Sequence, residues 1–213
     1  MIQIQSFPFN PFQENTYVLF DETKACIIID PGCYEKAEQE TLKNFIEENE
    51  LKPVKLINTH CHIDHVLGNK FVADTWNLGL EMHELDLPLL HSVKDYCTAY
   101  GFDHYDESPE PTTFLKEGGQ IHFGDSSLDI LFTPGHAPGH ITLHCPKQQF
   151  VIAGDVLFQM SIGRTDLPGG DHETLINSIK IVLMPLADDT QVFCGHGPST
   201  TIGFERENNP FLK

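Results

Sequence analysis

Histidine and aspartate side chains occupy four of the six positions from 60 to 65, namely His60, His62, Asp64 and His65. Imidazole nitrogens suit zinc, iron, copper and nickel, while carboxylates shift a site toward iron, manganese or zinc. In a β-strand or a tight loop, residues i and i+2 face the same way, so His60 and His62 can bind one cation together. Asp64 and His65 open a helix-like stretch and can turn toward a second cation beside the first. The spacing therefore predicts a metal centre.

Three later loops repeat this chemistry, each with a histidine or an aspartate beside a glycine and just after a short β-type run. The residues are His136, Asp155 and His196. A catalytic zinc takes about three protein ligands and keeps one position for water, so two cations need more ligands than the first cluster supplies. We expect these three residues to supply the remainder. Asp155 is the acid best placed to bridge two cations through its two carboxylate oxygens.

The other histidines lack such a setting, and a single histidine is more often a core or surface residue than a ligand. His140 lies four residues after His136, and the sequence leaves open which of the two binds metal. We prefer His136. Outside these loops, His83 is the one histidine that could line the site.

Hydrophobic patterning predicts the elements that must position these loops. Short apolar runs predict strands at 2–4, 16–20, 25–29, 54–58, 80–82, 120–123, 128–132, 141–144, 150–152 and 191–194. Amphipathic patterns predict helices at 34–49, 66–76 and 172–183. Two β-rich halves, each with helices, indicate two sheets packed face to face and covered outside by helices. We expect an α/β (α+β) fold in a single domain over 1–213, with a helical insert near 84–113 that either gates the site or serves structure alone.

The charge balance excludes several classes of partner. The chain has 13 basic and 31 acidic residues and a net charge of −18, which two divalent cations would offset only in part. Such a field repels nucleic acid and anionic membranes. The N-terminus has no signal-peptide pattern, no apolar run is long enough to span a bilayer, and the six cysteines show no CxxC spacing. We expect a cytoplasmic protein acting on a small molecule. The oligomeric state stays open.

The motifs together resemble those of the metallo-β-lactamase fold superfamily along nearly the whole chain. The resemblance lies in Asn15–Tyr17, Ile29–Gly32, Thr59–His65, Thr133–His136, Gly154–Asp155 and Gly195–Pro198. Within that superfamily, Phe158–Asp171 and Thr200–Pro210 are similar to the short glyoxalase-II-like (hydroxyacylglutathione hydrolase-like) branch.

The resemblance implies an αββα four-layer sandwich with a binuclear metal site at one edge. It implies that His60, His62 and His136 hold the first ion, that Asp64, His65 and His196 hold the second, and that Asp155 bridges them. Zinc is favoured, with iron and manganese as alternatives. The implied reaction is hydrolysis of a thioester, such as S-lactoylglutathione or a related acyl thioester, by a metal-bound hydroxide that Asp64 helps to orient.

Two departures from the branch bear on the substrate. Classical glyoxalase II holds the glutathione carboxylates with a basic helical extension that has no counterpart in this sequence. Arg164 is a candidate substrate-binding residue, but an ion pair with Asp166 or Asp171 is an equal interpretation. The alternative function is that of a persulfide dioxygenase-like oxidoreductase, in which His60, His136 and Asp155 would hold a single iron.

Overall fold

The computed structural model describes residues 1–213 and contains two six-stranded mixed sheets. The first sheet has its strands in sequence order, β1 (Gln3–Phe9), β2 (Glu14–Phe20), β3 (Ala25–Ile29), β4 (Lys52–Ile57), β5 (Leu80–His83) and β6 (Pro111–Leu115). The pairs β1–β2 and β2–β3 are antiparallel, whereas β3–β4 and β4–β5 are parallel.

The second sheet departs from sequence order. Its strands are β7 (Gln120–Phe123), β8 (Ser126–Phe132), β9 (Ile141–Cys145), β10 (Phe150–Gly154), β13 (Gln191–Cys194) and β14 (Thr200–Thr201), in the spatial order β14-β13-β10-β9-β8-β7. Only β10 and β13 are parallel among the pairs whose direction is resolved. A small hairpin of β11 (Leu157–Phe158) and β12 (Ser161–Ile162) follows β10.

Six α-helices accompany the sheets. They are α1 (Lys36–Glu48), α2 (Ile63–Val66), α3 (Asn69–Trp76), α4 (Leu87–Tyr96), α5 (His172–Ser178) and α6 (Ile202–Asn208). Several begin at side chains that accept hydrogen bonds from the first turn. Asp171 accepts from the Thr174 N–H at 2.7 Å to start α5, and Thr201 accepts from the Phe204 N–H at 3.2 Å to start α6. These caps satisfy donors that a helix cannot pair internally.

The chain forms two compact units, residues 1–114 with 122–126, and residues 115–121 with 127–213. The core of the first unit contains Val18, Ile28 and Leu56 from its strands and Leu42 and Ile46 from α1. The second core contains Val151 and Val192 from the parallel strands β10 and β13, Leu175 from α5, and Ile179 from the π-helical turn Ile179–Leu183 that continues α5. No helix combines the length and apolarity that crossing a membrane requires.

Parallel strand pairs bring the candidate ligands to sheet edges. In the first unit, Asp30 follows β3 and the His60 loop follows the parallel neighbour β4. In the second unit, Asp155 follows β10 and His196 lies two residues past its parallel neighbour β13. Loops at the carboxyl ends of adjacent parallel strands meet at the same edge, which is where sites form in such sheets.

The structure differs from the predicted elements mainly in short segments. The two-residue strands are too short to show a hydrophobic period. The edge strand β6 and helix α6 are not predicted because each buries a single apolar side chain, Leu115 and Ile202. The predicted helix 66–76 is interrupted between α2 and α3. Gly68 lies there so close to residue 33 that an added Cβ would stand 2.4 Å from the Cys33 Sγ.

Candidate metal centre

In the first unit, three buried histidine rings lie together. The His60 ring centroid is 4.9 Å from that of His62 and 4.1 Å from that of His65. All three side chains are buried, with His65 fully enclosed. Three imidazoles in so small a volume would be costly to desolvate without a common partner, and a cation is the partner that suits them.

Asp30 orients two of these rings. Its Oδ2 lies 3.2 Å from the His65 Nδ1 and accepts the Thr59 hydroxyl at 2.5 Å. The Thr59 Oγ1, having donated its proton, accepts from the His60 Nδ1 at 3.2 Å. Thr59 therefore places the His60 proton on Nδ1, and the Asp30 carboxylate beside the His65 Nδ1 favours the same tautomer there. Each ring then keeps its Nε2 lone pair for a metal, as metal-binding histidines backed by carboxylates usually do. Asp30 lies within the Ile29–Gly32 motif, but no feature of the sequence indicates this orienting role.

The backbone of the His60–His65 loop is held by buried polar side chains. Asn10 donates to the Asp64 carbonyl at 3.0 Å, and Asn58 donates to the His65 carbonyl at 3.0 Å. Asp86 accepts the Cys61 N–H at 2.9 Å. The Asp64 Oδ2 lies 3.8 Å from the His65 Nε2, so these two predicted ligands share one position. No sequence pattern marks the three supporting residues, of which Asn10 and Asp86 come from distant segments.

Cys61 lies within the ligand motif but faces the core. Its Sγ lies 3.6 Å from the Met82 Sδ, and burial raises the pKa of the thiol well above its ordinary value. Only the thiolate is a good metal ligand. Cys61 therefore acts as a small core residue, and none of the six cysteines forms a disulfide.

In the second unit, one carboxylate oxygen lies close to two imidazole rings. The Asp155 Oδ2 lies 3.5 Å from the His136 Nε2 and 3.4 Å from the His196 Nε2. The three predicted ligands of this unit are thus brought together, with Asp155 between the histidines. The donor set, two imidazole nitrogens and a carboxylate, suits zinc, iron or manganese.

His136 is held by the segment that follows the β11–β12 hairpin. Its Nδ1–H donates to the Arg164 carbonyl at 2.7 Å, which leaves the Nε2 lone pair facing Asp155. Gly163 allows this approach, since an added Cβ would stand 1.9 Å from the Asp155 carbonyl oxygen and 3.1 Å from the His136 Nδ1. In the Gly-Arg motif, the glycine therefore allows the close approach and the arginine supplies the carbonyl that holds His136.

His140 serves the site without being a suitable ligand. Its Nε2 accepts the Asp155 backbone N–H at 3.0 Å, and its Nδ1 lies 3.1 Å from the Thr133 hydroxyl. Because both ring nitrogens are engaged, His140 fixes the backbone of Asp155 and His136 is the histidine that faces the carboxylate. His136 as the metal ligand stays a prediction.

Arg164 and His83 have local partners. The Arg164 guanidinium forms two hydrogen bonds of 2.7 and 2.8 Å with Asp166 and lowers the pKa of that carboxyl to about 2. The pair is exposed, with 60% and 68% of the side chains accessible, so Arg164 stays a prediction as a substrate contact. The His83 Nδ1 accepts the Leu85 N–H at 3.3 Å in the turn after β5.

Comparison with known proteins identifies the family of the chain. A family model described as the metallo-β-lactamase superfamily matches residues 9–196. The chain is 39% identical to hydroxyacylglutathione hydrolase GloC of Haemophilus influenzae, over 99% of this chain and 98% of that protein.

Two solved structures are also similar along the whole chain. The B3 metallo-β-lactamase BLEG-1 is 34% identical with a TM-score of 0.89, covering 99% of this chain and 100% of that one. TTHA1623, crystallised in a di-iron-bound form, is 36% identical with a TM-score of 0.88, covering 98% and 100%. The chain belongs to the metallo-β-lactamase superfamily and has its fold, as predicted, with two mixed sheets and flanking helices. Within that superfamily it is a metallo-hydrolase.

Proposed function

We propose that the protein hydrolyses an acyl thioester, such as S-lactoylglutathione, at a centre that holds two divalent cations. His60, His62 and His136 would bind the first ion, and Asp64, His65 and His196 the second, with Asp155 shared between them. The similarity to GloC along almost the full length of both proteins supports the substrate class.

The observation that carries the proposal is the position of Asp155. One of its carboxylate oxygens stands within 3.5 Å of the Nε2 atoms of two histidines, which the proposal assigns to different cations. A carboxylate in that position can serve both cations at once, as two-metal sites require. A site for a single iron would need only one of these histidines.

Bound cations would supply the chemistry of lowering the pKa of a water molecule and of polarising the thioester carbonyl. The residues of the chain orient the ligands and fix their protonation. Asp30 and the Arg164 carbonyl keep the imidazole protons on Nδ1, so that His60, His65 and His136 present Nε2. Asp64 would orient the attacking water. A thiolate is a tolerable leaving group, so a strong general acid is not needed.

Zinc is the cation that we propose, with iron and manganese as alternatives that accept the same ligands. The di-iron form of TTHA1623 supports a dinuclear centre in this part of the superfamily. The choice of metal does not alter the ligand assignment.

The test is a substrate panel on protein loaded separately with zinc, iron or manganese. We expect turnover of S-lactoylglutathione or another acyl thioester, and its loss in His62→Ala. The matched control is His122→Ala, which removes an exposed histidine of β7 and should keep full turnover. Oxygen consumption with glutathione persulfide, without thioester hydrolysis, would overturn the proposal in favour of the mononuclear oxidoreductase.

A β-lactam is the second candidate substrate, favoured by the similarity to BLEG-1. Both substrates present a carbonyl to the same hydrolytic chemistry, so the panel includes a penicillin and a chromogenic cephalosporin. We expect the thioester to be the faster substrate. Faster β-lactam cleavage would replace the proposed substrate class and leave the metal assignment intact.

A further inference from the structure

We propose that Glu205 and Asn209, on and just after helix α6, are positioning residues for the metal ligand His136. They would act through the β11–β12 hairpin and the Gly163–Arg164 segment that follows it. We call Glu205 and Asn209 the α6 clamp. The inference rests on the proposed function only in taking His136 to bind a metal ion.

Glu205 holds the tip of the hairpin. Its side chain is fully buried, and its Oε2 accepts the Met160 N–H at 2.9 Å. Its Oε1 accepts the Thr200 hydroxyl at 2.5 Å. A buried carboxylate is costly unless donors surround it, and here they include a backbone donor of the hairpin.

Asn209 completes the clamp from the end of the helix. Its Nδ2 donates to the Ser161 carbonyl at 3.0 Å and to the Glu205 Oε2 at 2.8 Å. The segment that the clamp holds is strained, because Met160 has a φ of 59°. A left-handed conformation is unfavourable for a residue with a Cβ, so fixed neighbours are needed to maintain it.

The hairpin transmits this restraint to the ligand. Beyond Ser161, the Gly163 N–H donates to the Val156 carbonyl at 3.3 Å, and the next residue offers its carbonyl to the His136 Nδ1–H at 2.7 Å. The route from Asn209 to His136 thus consists of two hydrogen bonds joined by the short backbone segment from Ser161 to Arg164. The proposed chemistry does not explain the motif Thr200–Pro210. Through this route, the motif would help to orient the His136 imidazole.

A role in stability alone is the competing explanation, because α6 also buries Ile202 in the core of this unit. The chain offers controls that separate the two. Asn208 is an exposed neighbour of Asn209 and donates only to the Phe204 carbonyl of its own helix. Arg206, on the same helix, donates to the Met184 and Leu186 carbonyls and forms an ion pair with Asp188.

The experiment compares Asn209→Ala and Glu205→Gln with Asn208→Ala and Arg206→Ala in the zinc-loaded protein. Zinc affinity is measured by competition with a chelator. Long-range ¹H–¹⁵N spectra follow the exchange of the His136 imidazole proton with solvent. We expect Asn209→Ala to weaken zinc binding about 10–100-fold, the usual loss when a group that orients a ligand is removed. Proton exchange at His136 should become faster in the same variant.

The controls should behave differently. Asn208→Ala should match the wild type in both readouts, and Arg206→Ala should lower thermal stability while leaving zinc affinity and proton exchange unchanged. Glu205→Gln keeps one acceptor oxygen and should fall between the wild type and Asn209→Ala. Zinc affinity and proton exchange in Asn209→Ala equal to those of Asn208→Ala would overturn the inference, even if Asn209→Ala lost stability.

Failure of the proposed function gives a different pattern. A wild-type chain that binds none of zinc, iron and manganese refutes the metal centre and the clamp together. A wild-type chain that binds zinc but cleaves no thioester refutes only the proposed substrate, because neither readout of the clamp uses turnover.

Discussion

At the scale of single residues, the candidate centre depends on which nitrogen of each imidazole carries the proton. His60, His65 and His136 all turn Nδ1 toward a protein acceptor, namely Thr59, Asp30 and the Arg164 carbonyl. Each therefore offers the Nε2 lone pair without having to change tautomer when a metal binds. His140 does not offer its Nε2 lone pair to a metal ion in this way, because that nitrogen already accepts the Asp155 N–H.

Asp30→Asn tests this tautomer control in the first unit. The amide that replaces the carboxylate carries no charge to balance the His65 imidazole, so that histidine should be held less firmly. We expect zinc affinity to fall about 10–100-fold. The change is measured by chelator competition beside Asp103→Asn, which neutralises an exposed carboxylate and should retain wild-type affinity. Equal affinities in the two variants would exclude an orienting role for Asp30.

Gly163→Ala tests the close approach in the second unit. The new Cβ would stand 1.9 Å from the Asp155 carbonyl oxygen, so the hairpin must move away from both Asp155 and His136. We expect a loss of at least about 1–3 kcal/mol in the free energy of unfolding, together with weaker zinc binding.

The control for that substitution is Gly118→Ala. Gly118 has a φ of 74° and an open surrounding, so the change should cost about 1–2 kcal/mol through backbone strain alone. Chemical denaturation and zinc titration of both variants separate the two effects. If zinc affinity fell equally in both, the loss would come from stability and not from the geometry at Gly163.

At the scale of elements, parallel strand pairs position the loops that carry the ligands, and hydrogen bonds between turns hold other parts of the fold together. Asp155 and His196 follow the parallel strands β10 and β13, which brings their loops to one edge. Away from the ligands, the turn after β2 is tied to the turn after β7 by a buried carboxylate. Asp21 accepts the Asp125 N–H at 2.8 Å and the Ser126 hydroxyl at 2.8 Å, besides the hydrogen bonds of its own turn.

We expect Asp21→Asn to lower the free energy of unfolding by about 1–3 kcal/mol near pH 7. Burial raises the pKa of Asp21, but hydrogen bonds from Thr23, Ser126 and Asp125 outweigh it and hold the pKa below its ordinary value of 3.8. The stabilisation is therefore present above that value and is lost as the pH falls through the lower folded pKa.

Denaturation from pH 7 down to acid pH measures this contribution. The wild type and Asp21→Asn should differ at neutral pH and converge in acid. Asp125→Asn is the control, because the side chain of Asp125 is exposed and only its backbone N–H is used. A difference between wild type and Asp21→Asn that stayed constant across the pH range would show that the Asp21 charge makes no contribution.

At the scale of the whole molecule, the sequence predicts the fold class because its motifs and hydrophobic periods agree along the chain. The superfamily resemblance carried by the His60–His65 motif is confirmed by the family match over residues 9–196. The supporting residues could not be predicted, since Asn10, Asp86 and Glu205 act through contacts between segments distant in sequence. Nothing in the spacing marks these polar residues as buried.

The central claim is that Asp155 is shared by two cations. The most direct test is anomalous diffraction from a crystal of the metal-loaded protein, recorded at the absorption edge of the bound metal. We expect two metal peaks, both within bonding distance of the Asp155 carboxylate, with His136 on one ion and His196 on the other. A single peak, or a second ion that Asp155 does not contact, would contradict it.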